Sequence, residues 1–120
     1  MTIANHSKGE RILRLLFWAA ALFALVMALI PHPPQLPGEP SDKVEHMAAF
    51  ATLGVLGSFA YPRLKAVWLL VALSVFGAFI EVAQAIPALH RDSDPLDWLA
   101  DTVAAAVVLI AVSWWARRRR

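Results

Sequence analysis

Long apolar runs separated by short polar turns, with ionisable side chains gathered at their ends, constrain this chain more than any other feature. Residues 11–30 are nearly unbroken apolar sequence. At about 1.5 Å per helical residue they reach across the roughly 30 Å of a bilayer core. Residues 64–86 and 96–116 read the same way. A shorter segment, 45–61, is rich in small residues, with Ala48, Ala49, Ala51, Gly54, Gly57 and Ser58. Small side chains let helix backbones approach closely in lipid, so this span is expected at the centre of a bundle. Hydrophobic residues make up 59% of the 120 positions and charged residues 17%, too apolar for an ordinary soluble domain. The expectation is an all-α polytopic membrane protein, one domain over residues 1–120, built as a bundle of four transmembrane helices.

Helix punctuation agrees with that division. Pro31, Pro33, Pro34, Pro37 and Pro40 exclude helix over residues 31–40, which read as an extended linker. Ser41-Asp42 is an N-cap signal with Glu45 in the first turn. Tyr61-Pro62-Arg63 marks a tight turn, Pro87 is expected to close the third span, and Pro95 suits the first position of the fourth. Lys8, Arg11 and Arg14 ahead of an apolar run also fit the start of a secretory signal. The run is too long for one and lacks a small-x-small cleavage site, so a retained helix is expected. The connections after the second span are short, which makes successive helices antiparallel neighbours.

Nine of the 11 cations, Lys8, Arg11, Arg14, Arg63, Lys65 and Arg117 to Arg120, fall at one side of the spans so defined, and Lys43 and Arg91 at the other. Cytoplasmic flanks carry the excess of Lys and Arg, so the N and C termini are both expected in the cytoplasm. The Arg tail beside Trp114 and Trp115 is an interfacial anchor, and the expected partner is the lipid bilayer, with no nucleic acid. The chain has no cysteine, which excludes a disulfide framework, a thiolate nucleophile, an iron–sulfur cluster and a thiolate zinc site. A metal would need His and carboxylate ligands. No metal site is assigned from sequence, and nothing in it names a cofactor.

With that topology, Asp42, Lys43 and His46 begin the second span, Glu81 and Gln84 end the third, and Asp97 and Asp101 begin the fourth, all at the outer side. Glu81 is expected about 7 Å and Asp101 about 9 Å below the surface, with His46 about 6 Å below Asp42. Asp42, His46 and Phe50 are spaced i, i+4; Glu81 and Gln84 i, i+3; Asp94, Asp97 and Asp101 by three and four. Each set therefore occupies one helix face. A carboxylate facing lipid at mid-depth would cost about 2.5 to 3.5 kcal/mol, so these faces should turn toward one another. Three readings of the layer stay open: a hydrogen-bonded network that fixes helix register, a binding site lined by Arg91 and His90, or a catalytic site. In the last, His46 is the candidate general base or ligand, with Glu81, Asp97 or Asp101 as acid or ligand. Carboxylates outnumber cations here, so some must be protonated, paired or bound to a cation, which argues against a purely structural role.

Other constellations carry less. There is no Gly-rich phosphate loop, HExxH or GxSxG. Ser93 between Asp92 and Asp94 reads as loop and cap chemistry, and His6 and His32 as solvated side chains in polar or proline-rich stretches.

The string Asp42-Lys43-x-x-His46-x-x-x-Phe50, then Glu81-x-x-Gln84, then Arg91-x5-Asp97-x3-Asp101 resembles the VanZ-like family of small bacterial membrane proteins, named after a teicoplanin-resistance protein. The likeness runs from Asp42 to about Val108 and lies in the order and spacing of three blocks. In the last block the family commonly has Asn and a following Gly, where this chain has Asp101 and Ala104. An acid can titrate where an amide cannot. The resemblance implies a multi-helix membrane protein of the bacterial cell envelope, in a family whose founding member lowers susceptibility to a glycopeptide antibiotic. It implies no known reaction. From the sidedness of the polar cluster, the expected function in the bacterial inner membrane is interaction with an extracytoplasmic lipid-linked or cell-wall component, with an effect on glycopeptide susceptibility as its cellular side. The alternative is an intramembrane hydrolase or transferase acting on a lipid head group through a His and carboxylate site, metal-assisted or not. Either form leaves room for a homo-oligomer.

Overall fold

The computed structural model describes residues 8–30, 42–89 and 94–119. The proline-rich linker, Ser41, His90, Arg91, Asp92, Ser93, His6, His32, Arg120 and the side chain of Asp42 lie outside them. The described residues form four long helices: α1 (Lys8–Leu29), α2 (Asp42–Ala60), α3 (Ala66–Gln84) and α4 (Pro95–Arg118), with a one-turn 3-10 helix at Pro87–Leu89. Three of them, α1, α3 and α4, are long and apolar enough to cross a membrane. The remaining helix, α2, carries Asp42, Lys43, Glu45 and His46 in its opening residues, and these dilute an otherwise apolar sequence.

Helix ends differ from the sequence reading by a few residues, for local reasons. The third span was expected over 64–86 with Pro87 as its stop; α3 instead starts after Lys65, in extended backbone, and stops at Gln84. The chain then tightens through Ala85, whose N–H meets the carbonyls of Glu81 and Val82, and Pro87 opens the 3-10 turn. Tyr61 to Leu64 forms the expected turn, the Leu64 N–H reaching the Tyr61 carbonyl at 3.0 Å. Pro95 is the first residue of α4, where its missing N–H costs nothing, and the Asp94 side chain accepts from Leu96 N at 3.0 Å. Helix α4 runs two residues beyond the expected stop at 116, to Arg118, because Trp and Arg side chains are good company at an interface.

Helix α2 separates α1 from α4, packing on both, and α3 packs mainly on α4. Three glycines make close approaches, Gly77 of α3 meeting Trp98 of α4 and the other two lying on α2. A Cβ at Gly54 would lie 3.2 Å from Val108 Cγ1 of α4, and one at Gly57 would lie 2.9 Å from Leu69 Cδ2 of α3 and 3.0 Å from Phe17 Cε1 of α1. Phe17 and Leu69 are themselves core residues, with Phe50, Leu53, Leu73, Ile80, Ala105 and Leu109. Outside this narrow core the surface is apolar: Leu15 is 71% exposed, Phe23 67%, Val75 63%, Val82 73% and Ile110 68%. A soluble protein of this size does not present such a girdle to water, whereas a membrane protein presents it to acyl chains.

The two ends of the bundle are chemically opposite. At one, hereafter the basic end, the Arg14 guanidinium lies 4.4 Å over the Tyr61 ring while its Nε donates to the Ala60 carbonyl at 2.9 Å. That places a cation and a donor on the last carbonyls of α2, where both are favourable. Arg118 stacks on Trp114 and Arg119 on Trp115 at the same end. The other, acidic end holds the side chains of the candidate site. Because a side chain at Gly57 must push the ends of Leu69 and Phe17 out of their places in the core, Gly57→Val is expected to cost about 1–3 kcal/mol. The purified protein should show it as a lowered thermal midpoint, while Val71→Ala on the exposed face leaves the midpoint unchanged.

Candidate functional site

The first turn of α2, the last turns of α3 and the first turns of α4 meet at the acidic end. Lys43 Nζ of α2 lies 3.2 Å from Asp97 Oδ1 of α4, with the lysine side chain 42% and the aspartate 14% exposed. An ion pair open to this degree contributes about 0–1 kcal/mol, so a ligand can exchange partners with it at little cost. Glu81 of α3 is buried, and its Oε2 accepts from the Asp94 backbone N–H at 2.9 Å, tying the end of α3 to the cap of α4. Asp97, Asp101, Ala105 and Leu109 follow one another by four along α4; of these Asp101, Ala105 and Leu109 are buried, so the acid sits on the face that enters the core.

Gln84 goes elsewhere. Its side chain is 1% exposed, and Nε2 donates to the Ala28 carbonyl at 2.9 Å, in the last turn of α1. The sequence groups Gln84 with α2 and α4, but its amide bonds to α1, the helix outside that layer. The carbonyls ending α1 have no helical partner, so the amide meets one of them inside the bundle. Gln84 Oε1 is buried with no hydrogen-bond partner among the described residues.

His46 lies half-buried one turn into α2. It and Glu45 are the polar lining of a cavity of about 190 Å³ between α1 and α2, whose apolar wall includes Phe23, Met27, Phe50 and Ile80. Sequence reasoning missed Glu45 as a neighbour of the site, although its place beside His46 was the available signal. It also missed the α3–α4 seam just below, where Trp98 Nε1 donates to the Ser74 carbonyl at 3.0 Å and the Ser74 and Thr102 hydroxyls lie 3.1 Å apart. A Trp N–H inside an apolar span needs an acceptor beyond its own helix, so Trp98 in the sequence was a sign of helix contact, whereas a hydroxyl is a weaker sign, since Thr52 and Ser58 bond carbonyls of their own helix.

Lys43, His46, Glu81, Asp97 and Asp101 are thus at one end of the bundle, with Lys43 and Asp97 in direct contact. Arg91 and the Asp42 side chain are outside the described residues. Among the described residues no group of three His, Asp or Glu side chains is arranged to hold a metal ion. Chemically, the end offers carboxylate acceptors, one imidazole able to give or take a proton, and an adjoining apolar slot. That combination suits an amphiphile whose head donates hydrogen bonds.

The Gln84 bond gives a signed expectation. Gln84→Leu removes the donor to Ala28 and should cost about 1–3 kcal/mol; Gln84→Glu, measured at alkaline pH where the ionised carboxylate sets only acceptors against that carbonyl, should cost more. Thermal midpoints of the two variants in one detergent check the order, and Gln84→Glu at wild-type stability would refute it.

The chain matches no protein-family model, no curated protein and no solved structure.

Proposed function

We propose that this is a four-span, VanZ-like protein of the bacterial cytoplasmic membrane whose outward polar end holds the head of a lipid-linked or cell-wall component. The observation carrying the reading is that polar side chains of three helices gather at one end of the bundle, beside an apolar cavity edged by Glu45 and His46. An amphiphile has the complementary shape, a hydrogen-bonding head followed by an apolar tail. Among the described residues that end carries Glu45, Glu81, Asp94, Asp97 and Asp101 against Lys43, so it favours a head rich in hydroxyl, amide or ammonium donors.

The opposite end of the bundle sets the sidedness. Lys8, Arg11, Arg14, Arg63, Lys65 and Arg117 to Arg119 crowd there, which by the positive-inside bias makes it cytoplasmic, together with both termini. Helix α2, 19 residues long, spans roughly 28 Å, close to the hydrocarbon thickness, with its charged first turn at the interface; we count it as the fourth span. The order of the three sequence blocks adds the VanZ-like resemblance, and with it altered susceptibility to glycopeptides such as teicoplanin as a cellular readout. A second reading, hydrolysis or group transfer on the bound head with His46 as base, draws on the imidazole and Glu45 lining one cavity.

In intact cells, a membrane-impermeant thiol reagent should label Ala88→Cys, whereas Arg63→Cys should need permeabilised cells. The reverse pattern would end the proposal. His46→Ala and Asp97→Asn should accumulate at wild-type level yet lose a co-purifying lipid-linked component roughly tenfold or more. Turnover of that component by the wild-type protein, abolished in His46→Ala, would select the enzymatic reading. Absence of any such component from the wild-type protein would remove the binding reading.

A further inference from the structure

A second cavity, larger than the one beside His46, lies toward the basic end. There α1 and α3 stand apart over a groove of about 390 Å³, within the 300–1,000 Å³ common for ligand pockets. Ala21 of α1 and Ala72 of α3 line it with small side chains that leave the room, Leu53 of α2 lines it from between them, and Phe76 marks its far end. The lining is almost wholly apolar, as suits a hydrocarbon chain. Tyr61 and Leu64, from the α2–α3 turn, form its mouth.

Three cations adjoin these two mouth residues without lining the groove themselves. The Tyr61 hydroxyl accepts from Trp18 Nε1 at 2.7 Å, and the Arg14 guanidinium covers the Tyr61 ring. Leu64 is flanked in the chain by Arg63 and Lys65, both exposed. A positive collar of Arg and Lys beside interfacial Tyr and Trp is the chemistry that meets phosphate at a membrane surface, and the slot below it is apolar. A second copy of the chain would need a helix-wide trough of about 10 Å and an apolar partner at the mouth, and the cations oppose both copies equally.

We propose that this groove binds an anionic phospholipid, with one acyl chain between α1 and α3 and its phosphate at Arg14, Arg63 and Lys65. The charge complementarity at the mouth selects the head, and the small residues at Ala21 and Ala72 admit the tail. The site is separate from the acidic end and stands whether or not the function proposed there holds.

The test uses the full chain, purified in a mild detergent and offered phosphatidylglycerol or phosphatidylcholine of identical acyl chains. Native mass spectrometry should find phosphatidylglycerol retained roughly tenfold over phosphatidylcholine. The double variant Arg63→Gln, Lys65→Gln, on an exposed turn, should keep the lipid-free thermal midpoint and lose the preference. Ala72→Trp should fill the groove and lower retention of both lipids. Equal retention of the two lipids by the wild-type protein, or an undiminished preference in the double variant, overturns the proposal. A protein dimer in place of lipid adducts, dispersed by Ala72→Trp, also overturns it and assigns the groove to a second copy.

Discussion

Polar side chains survive within apolar helices only where other protein groups meet them, and that requirement organises this molecule. Glu81 is held by the cap of α4, Asp97 by Lys43, and Gln84 by the end of α1. Each bond joins a helix end to a different helix or its cap: one clasps the antiparallel pair α3 and α4, and the other two clasp the parallel pairs α2 with α4 and α1 with α3. In water such pairs would contribute little, because solvent competes for every partner. In a bilayer the alternative to a protein partner is hydrocarbon, so the buried Glu81 and Gln84 become a strong condition on helix register, whereas the more open Lys43–Asp97 pair contributes little.

The basic end meets the same requirement with different chemistry. Arg14 covers the last carbonyl of α2 and the face of Tyr61, and the Arg tail stacks on its own Trp residues. Between the ends, side-chain size governs. Gly57 admits Phe17 and Leu69, Gly54 admits Val108, and Ala105 is fully buried. Where α1 and α3 stand apart the bundle keeps an apolar groove, and where α1 and α2 diverge near His46 it keeps a smaller one. Each groove lies beside a charged end of opposite sign, an arrangement suited to two different amphiphiles.

The long helices were legible in the sequence because apolar length is a strong signal and the prolines are strong stops. The i, i+4 spacing of Asp97 and Asp101 showed in advance that they share a face, and burial of Asp101 with Ala105 and Leu109 gives that face its direction. The exact turn after Gln84 was not legible, since Pro87 can end a helix or open a 3-10 turn and only the path of the chain decides. Nor was the Gln84 partner: a backbone carbonyl of α1, 56 residues earlier, leaves no mark in side-chain spacing. The cavity beside His46 was hidden for a similar reason, because empty space depends on how α1 diverges from α2 and on no single residue.

The meeting of α2 and α4 at Lys43 and Asp97 is tested most directly by paired substitution in a chain that has no native cysteine to remove. Lys43→Cys with Asp97→Cys in native membranes should form an intramolecular cross-link with a short bifunctional thiol reagent, while Lys43→Cys with Arg117→Cys should not. Failure of the first pair, or efficient cross-linking of the second, would contradict a shared polar end.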